Sequence, residues 1–143
     1  MEKASKTLKV KCRQIVKGNV EGEAIVSPEA MCFYLCDPDT GIVIEKGHPL
    51  ESRSIAGKVL VLKSGKGSSV VQVDGLYQLS VKGNLPKAII VVDTEPVLVS
   101  SAVVVGVTMV DRLEVNPFEI IKDGDWVKVD ANSEEVSVLK REK

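Results

Sequence analysis

Three groups of residues carry side chains from which chemistry could be built. The first, Ser64-Gly65-Lys66-Gly67-Ser68-Ser69, follows an apolar run and precedes a helical pattern. Glycines let backbone approach a ligand closely, and a helix N-terminus offers unpaired N–H groups with a partial positive charge. Phosphate or carboxylate would fit there. A serine hydroxyl in that field has a second use, because the same donors stabilise its alkoxide, a base able to take a proton from carbon. Serine is also a preferred N-cap, so plain capping explains the same six residues and the choice stays open.

The second group is thiol and imidazole. Cys32 and Cys36 are spaced Cys-x3-Cys on a predicted strand, and the even offset puts both on one face. A metal site would need further ligands, for which Cys12 and His48 are the remaining soft candidates, so buried structural thiols are favoured and no metal is expected. His48 precedes Pro49 and reads as a hydrogen-bonded loop histidine. The third group, Asp37 and Asp39, reads as turn formers, since Asp side chains bond their own backbone. Gly-x-Ser-x-Gly, His-Glu-x-x-His, Cys-x-x-Cys and a Walker loop are all absent from the sequence. Arg53, Lys63 and Lys66 flank the serine loop; they could serve as cations for a phosphate or be merely solvated, and no firm role is assigned to them.

The elements that must position the loop are mostly strands. Leu8, Val10 and Cys12 alternate with Lys9, Lys11 and Arg13, the period of a half-buried first strand with a solvated lysine face. Val20 to Ser27 reads as a second strand. Met31 to Cys36 with Gly41 to Glu45 reads as a hairpin around Asp37-Pro38-Asp39-Thr40-Gly41. Lys58 to Leu62 and Ala88 to Val92 are continuous apolar runs, as expected of strands covered on both faces. Between them a helix is predicted over Ser69 to Val81, with Val70, Val73, Leu76, Tyr77 and Ser80 at helical spacing and Gly75 weakening it. This order implies a parallel crossover. A second helix is predicted over Val97 to Val105, broken by Gly106, then a strand at Val107 to Val110. A helical turn at Pro117 to Lys122 precedes a hairpin of Trp126 to Asp130 and Glu135 to Leu139, turning at Ala131-Asn132-Ser133-Glu134.

The chain has 143 residues, 19 Lys+Arg against 20 Asp+Glu, 44% hydrophobic and 3% aromatic residues, and three Cys. These numbers fit one globular domain over residues 1–143 with an aliphatic core. Balanced charge and few aromatics argue against a nucleic-acid partner. The longest apolar tract, Val97 to Val110, falls short of the roughly 20 residues of a spanning helix, so no membrane is expected. An odd cysteine count and no signal-like N-terminus suggest a cytoplasmic protein.

Taken together, Gly22-Glu23-Ala24, Ser27, Asp37-Pro38, Thr40-Gly41, His48-Pro49-Leu50, Ser54 to Val61, Lys66-Gly67-Ser68-Ser69, Pro86 to Ile89 and Asp123-Gly124-Asp125 resemble the small subunits of the aconitase X family. The resemblance implies a mixed α/β, sheet-rich, swivelling β/β/α domain with few helices. It implies that Ser68 is the catalytic base and that Ser69 and Gly67 hold substrate. An iron–sulfur cluster, of the 4Fe-4S kind, and most substrate ligands would sit on a separate large subunit. The implied reaction is dehydration of (R)-5-phosphomevalonate to trans-anhydromevalonate 5-phosphate. Related family members act on hydroxyproline-type substrates, and a degenerate subunit would dock without donating a base. One departure is local: Tyr34-Leu35 stands where the family usually has Gly-Gly, within Met31 to Cys36. A second is Val70-Val71 after the serine pair, in place of small residues.

Overall fold

The computed structural model describes residues 5–141. Eight strands, β1 (Ser5–Lys11), β2 (Arg13–Val16), β3 (Asn19–Ser27), β4 (Val59–Leu62), β5 (Ala88–Val91), β6 (Thr108–Asp111), β7 (Trp126–Asp130) and β8 (Glu135–Arg141), join in the order β1-β8-β7-β3-β4-β5-β6-β2. Three helices accompany them: α1 (Ser69–Val81), α2 (Pro96–Val105) and the single turn α3 (Pro117–Ile120). This is the sheet-rich α/β architecture the resemblance implies.

The sheet divides within β3. Asn19 to Glu23 pairs with β7 antiparallel, whereas Ala24 to Ser27 pairs with β4 parallel. β4, β5 and β6 continue in parallel, and α1 and α2 make the two crossovers. Alternation along these strands sorts the apolar residues into two cores. Leu60, Leu62, Ile89, Val91 and Met109 pack with Leu76, Leu79, Leu98 and Ala102 of the helices. Val59, Val61, Ala88, Ile90 and Val110 pack with Val10, Val127, Val129, Val136 and Val138 of the antiparallel ribbon. Helices, parallel sheet and ribbon thus form three layers, which explains why β4 and β5 read as unbroken apolar runs.

Three expectations need correction. The first predicted strand is two strands: β1 pairs with β8, the chain breaks at Cys12, and β2 crosses to pair with β6. Met31 to Cys36 is not a strand of a hairpin. Phe33–Leu35 forms a 3-10 turn, and only a Cys36–Val43 bridge remains of the pairing. The reason is packing: Phe33 is fully buried in the helical core, and the turn backbone rests on α1 at Gly75, where a Cβ would lie 2.3 Å from Tyr34 N. The buried face of α1 also differs from the apolar stripe. It consists of Gln72, Gly75, Leu76 and Leu79, while Val70 and Tyr77 point outward. The remaining elements lie within a residue or two of their predicted bounds, and Gly106 terminates α2 with φ +76°, a conformation glycine adopts without strain.

Candidate active site

The parallel strands β3 to β6 all end on one edge of the sheet, and the serine loop leaves from that edge. In open α/β sheets this carboxyl edge is where ligands bind. Two backbone bonds pin the loop to Met31, whose N–H donates to Ser64 O at 2.9 Å and whose carbonyl accepts from Lys66 N at 3.0 Å. Gly67 has φ +107°, which favours glycine, and Cys32 Sγ lies 3.3 Å from where a Cβ would be.

Ser68 is the N-cap of α1, extended at φ −71° and ψ 166°. Its Oγ accepts from Val71 N at 3.4 Å, a long bond, and its carbonyl accepts from Gln72 N at 3.0 Å. The first turn of a helix leaves its leading N–H groups without intrahelical partners. With Val71 facing Ser68 Oγ, those of Ser69 and Val70 remain to face a ligand. Gly67, Ser68 and Ser69 are all exposed, so the loop brings the three expected site residues together at the surface. A polarising helix end and an accessible hydroxyl are what a serine base requires.

The cations beside the loop are already paired. Lys63 meets Asp93 at 2.6 Å, Lys66 meets Glu45 at 2.5 Å and Arg53 meets Asp123 at 3.0 Å. The Lys63 and Arg53 pairs are exposed and worth little, whereas Glu45 is mostly buried and one of its carboxylate oxygens has no partner among the described residues, so it depends on Lys66 for its compensating charge.

The other candidates hold structure. His48 is buried; its Nδ1 accepts from Leu50 N at 3.0 Å, which leaves Nε2 protonated and donating to Ala30 O at 3.2 Å. Asp37 Oδ1 accepts from Asp39 N at 2.9 Å, a turn-forming bond. Cys32 and Cys36 bracket the 3-10 turn and are buried. Burial, helped by Cys32 and Glu45, pushes the Cys36 thiol up to about 12, so it stays protonated. Burial and four nearby carboxylates raise Cys12 to about 11. Among the described residues no group of three or more His, Cys, Asp or Glu lies together to hold a metal ion. Among the described residues the cysteines thus offer no converging ligand set for an iron–sulfur cluster, which the resemblance assigns to the separate large subunit.

Sequence reasoning missed Gln72, which is 1% exposed although polar. Its Nε2 donates to Gly67 O at 3.3 Å and to Glu95 Oε1 at 3.1 Å. Gly65 exists for this side chain, since a Cβ there would lie 2.4 Å from Gln72 Oε1. Its lack of a side chain makes room for an internal amide rather than for a ligand.

Residues 9–138 match the family model described as the aconitase X swivel domain. The chain belongs to the aconitase X swivel-domain family. It is 44% identical over 127 residues to a protein of Methanocella arvoryzae named phosphomevalonate dehydratase small subunit, covering 88% of this chain and 96% of that one. A protein of the same name from Methanococcoides burtonii is 40% identical over 136 residues, covering 94% and 98%. The crystal structure of Thermococcus kodakaraensis aconitase X in its holo-form contains a chain that superposes with a TM-score of 0.84 at 41% identity, over 92% of this chain and 98% of that one. A relative solved in solution by NMR gives 0.78 at 37% identity, over 90% and 97%. The aconitase X resemblance and its swivelling fold are thereby established, and with them membership of a family of hydro-lyase small subunits.

Proposed function

We propose that this chain is the base-supplying small subunit of a heteromeric hydro-lyase that dehydrates (R)-5-phosphomevalonate to trans-anhydromevalonate 5-phosphate. One observation carries the reading: Ser68 stands exposed at the N-terminus of α1, on the carboxyl edge of the parallel sheet, with the N–H groups of Ser69 and Val70 beside it. The relatives' name, phosphomevalonate dehydratase small subunit, supports a phosphomevalonate substrate and a partner large subunit.

In the step assigned to this chain, Ser68 Oγ takes the proton from the carbon next to the one bearing the hydroxyl. The C–H electron pair becomes the second bond of the alkene, the C–O bond breaks, and water is the net loss. Departure of the hydroxyl lies with the large subunit, to which we assign the iron–sulfur cluster. Ser69 and the Gly67 backbone hold substrate. The pairing of an exposed base with a partner-borne pocket makes the isolated chain inactive. We place the complex in the cytoplasm.

The test is turnover of 5-phosphomevalonate by the anaerobically purified complex, wild type against Ser68→Ala. The expected result is a loss of about 10²- to 10⁴-fold in kcat with assembly intact. Equal turnover by both complexes would show that the chain docks without donating a base. An assembled wild type that ignores 5-phosphomevalonate would keep the partner and discard the substrate.

A further inference from the structure

Gln72 lies at the inner side of the serine loop, and three hydrogen bonds make it a strut. Its backbone N–H donates to Ser68 O at 3.0 Å, and its side-chain Nε2 donates to Gly67 O at 3.3 Å and to Glu95 Oε1 at 3.1 Å. Glu95 is itself immobilised. It is the N-cap of α2, where its two carboxylate oxygens accept from Val97 N and Leu98 N, both at 2.9 Å. A carboxylate at a helix N-terminus is favoured by the helix dipole. The second helix therefore fixes Glu95, Glu95 fixes the amide, and the amide fixes the peptide group in front of Ser68.

We infer that Gln72, held by Glu95, is the positioning residue that turns the Ser68 backbone N–H toward the substrate and fixes the peptide group that carries the Ser68 side chain. The inference rests on the reading of Ser68 as the base. Its physical content is the planarity of the peptide bond, in which the carbonyl oxygen of Gly67 and the N–H of Ser68 point in opposite directions. Turning that oxygen inward onto Gln72 turns the Ser68 N–H outward. Gly67 has no Cβ to restrict its ψ, the torsion about which this peptide group turns, so something else must choose.

Folding stability alone does not account for this side chain. Gln72 Oε1 is buried and has no partner within the described chain, and an unpaired buried acceptor costs free energy that leucine would avoid. Both amide hydrogens, by contrast, are used. The donor end is what the loop needs, and the orphaned oxygen is tolerated in the space left by Gly65.

The test uses two variants in the complex with the large subunit, and solution NMR of the full chain. Gln72→Leu keeps the bulk and removes both donors. The expected result is a fall in kcat of about 100-fold, the effect of a misplacement near 1 Å, with KM unchanged. Gln72→Glu sets two carboxylates against each other, which raises their pKa, and the protonated form regains a donor. Its kcat relative to wild type should therefore recover as pH falls, whereas the Gln72→Leu ratio stays flat. In the NMR arm, the amide signals of Gly67, Ser68 and Ser69 should shift or broaden in Gln72→Leu, and return toward wild type in Gln72→Glu at low pH. A Gln72→Leu complex with wild-type kcat, or loop amides unmoved in both variants, would overturn the inference, even if the variant melts lower. Should Ser68→Ala leave turnover intact, the base reading fails, and the amide signals alone then decide whether the strut exists.

Discussion

Among the described residues Asp111 is the one fully buried carboxylate, and its partners come from far along the chain. Arg13 grips it with Nε to Oδ1 at 2.9 Å and Nη2 to Oδ2 at 2.8 Å, and Thr94 Oγ1 donates to Oδ2 as well. Burial alone would raise its pKa, but the hydrogen bonds from Arg13 and Thr94 outweigh it and hold the carboxyl below its usual range. A folded-state pKa below the unfolded one means the group stabilises the fold above the ordinary carboxylate range. That contribution is lost as pH falls through the depressed value. Thermal melts should drop as pH is lowered below about 4, and the drop should be smaller in Asp111→Asn. An equal drop in both would show that other acids govern the acid limb. Arg13 and Asp111 were not legible together, because alternation marks Arg13 only as solvated and the sequence gives no sign of a partner 98 residues away. The Ser68 loop was legible for the opposite reason: its glycines, its cap and the preceding apolar run are neighbours. Gln72 escaped because a polar residue in a helix reads as exposed until its partner Glu95, in another element, is known.

Helix α1 is a case where tertiary packing outvotes propensity. Gly75 weakens a helix taken alone, yet here it is the point at which the 3-10 turn of Phe33–Leu35 sits against the helix. A Cβ at this position would lie 2.3 Å from Tyr34 N and 2.4 Å from Phe33 C, and backbone cannot step aside as a side-chain tip can. Gly75→Ala should therefore destabilise by about 1–3 kcal/mol despite its better helix propensity. Denaturant unfolding would report this as a lower midpoint with an unchanged slope. A stabilised variant would mean that the turn does not rest on the helix. The same contact explains why a hairpin was expected and a turn was found. The turn residues around Asp37 argue for paired strands, but the chain there folds as a turn that buries Phe33 beneath α1. Elements whose signals are internal, such as β4, β5 and the β7–β8 hairpin, were readable from their own residues.

At the scale of the molecule, the three layers leave apolar outer surface on both long helices, Val103 and Val104 on α2 and a longer run on α1 that starts beside the serine loop. A helix that is apolar on both sides belongs in an interior. α1 packs Leu76 and Leu79 inward, yet Val70 is 75% exposed, Tyr77 53% and Val81 59%. Ser69, Val70, Val73, Asp74 and Tyr77 line a shallow hollow that begins one residue after the proposed base. A second hollow shares Asp74 and continues to Tyr34 and Ile44, both more than half exposed. If Ser68 works against a pocket on the large subunit, that subunit must arrive at this end of α1, and the apolar surface contiguous with the loop is where it would rest. Exclusion of water there also serves chemistry, since a serine base is effective only once solvent is displaced from around it. Val70→Asp and Tyr77→Asp, each placing a charge on the outer face without touching the core, should weaken assembly by about 10-fold or more, each about 1.4 kcal/mol or greater. Val103→Asp, on the outer face of α2, serves as the control and should leave assembly unchanged. Titration of the large subunit with labelled chain would measure this without any reliance on turnover. Wild-type affinity in both α1 variants would place the interface on another face and leave Ser68 to be reached from the sheet edge alone.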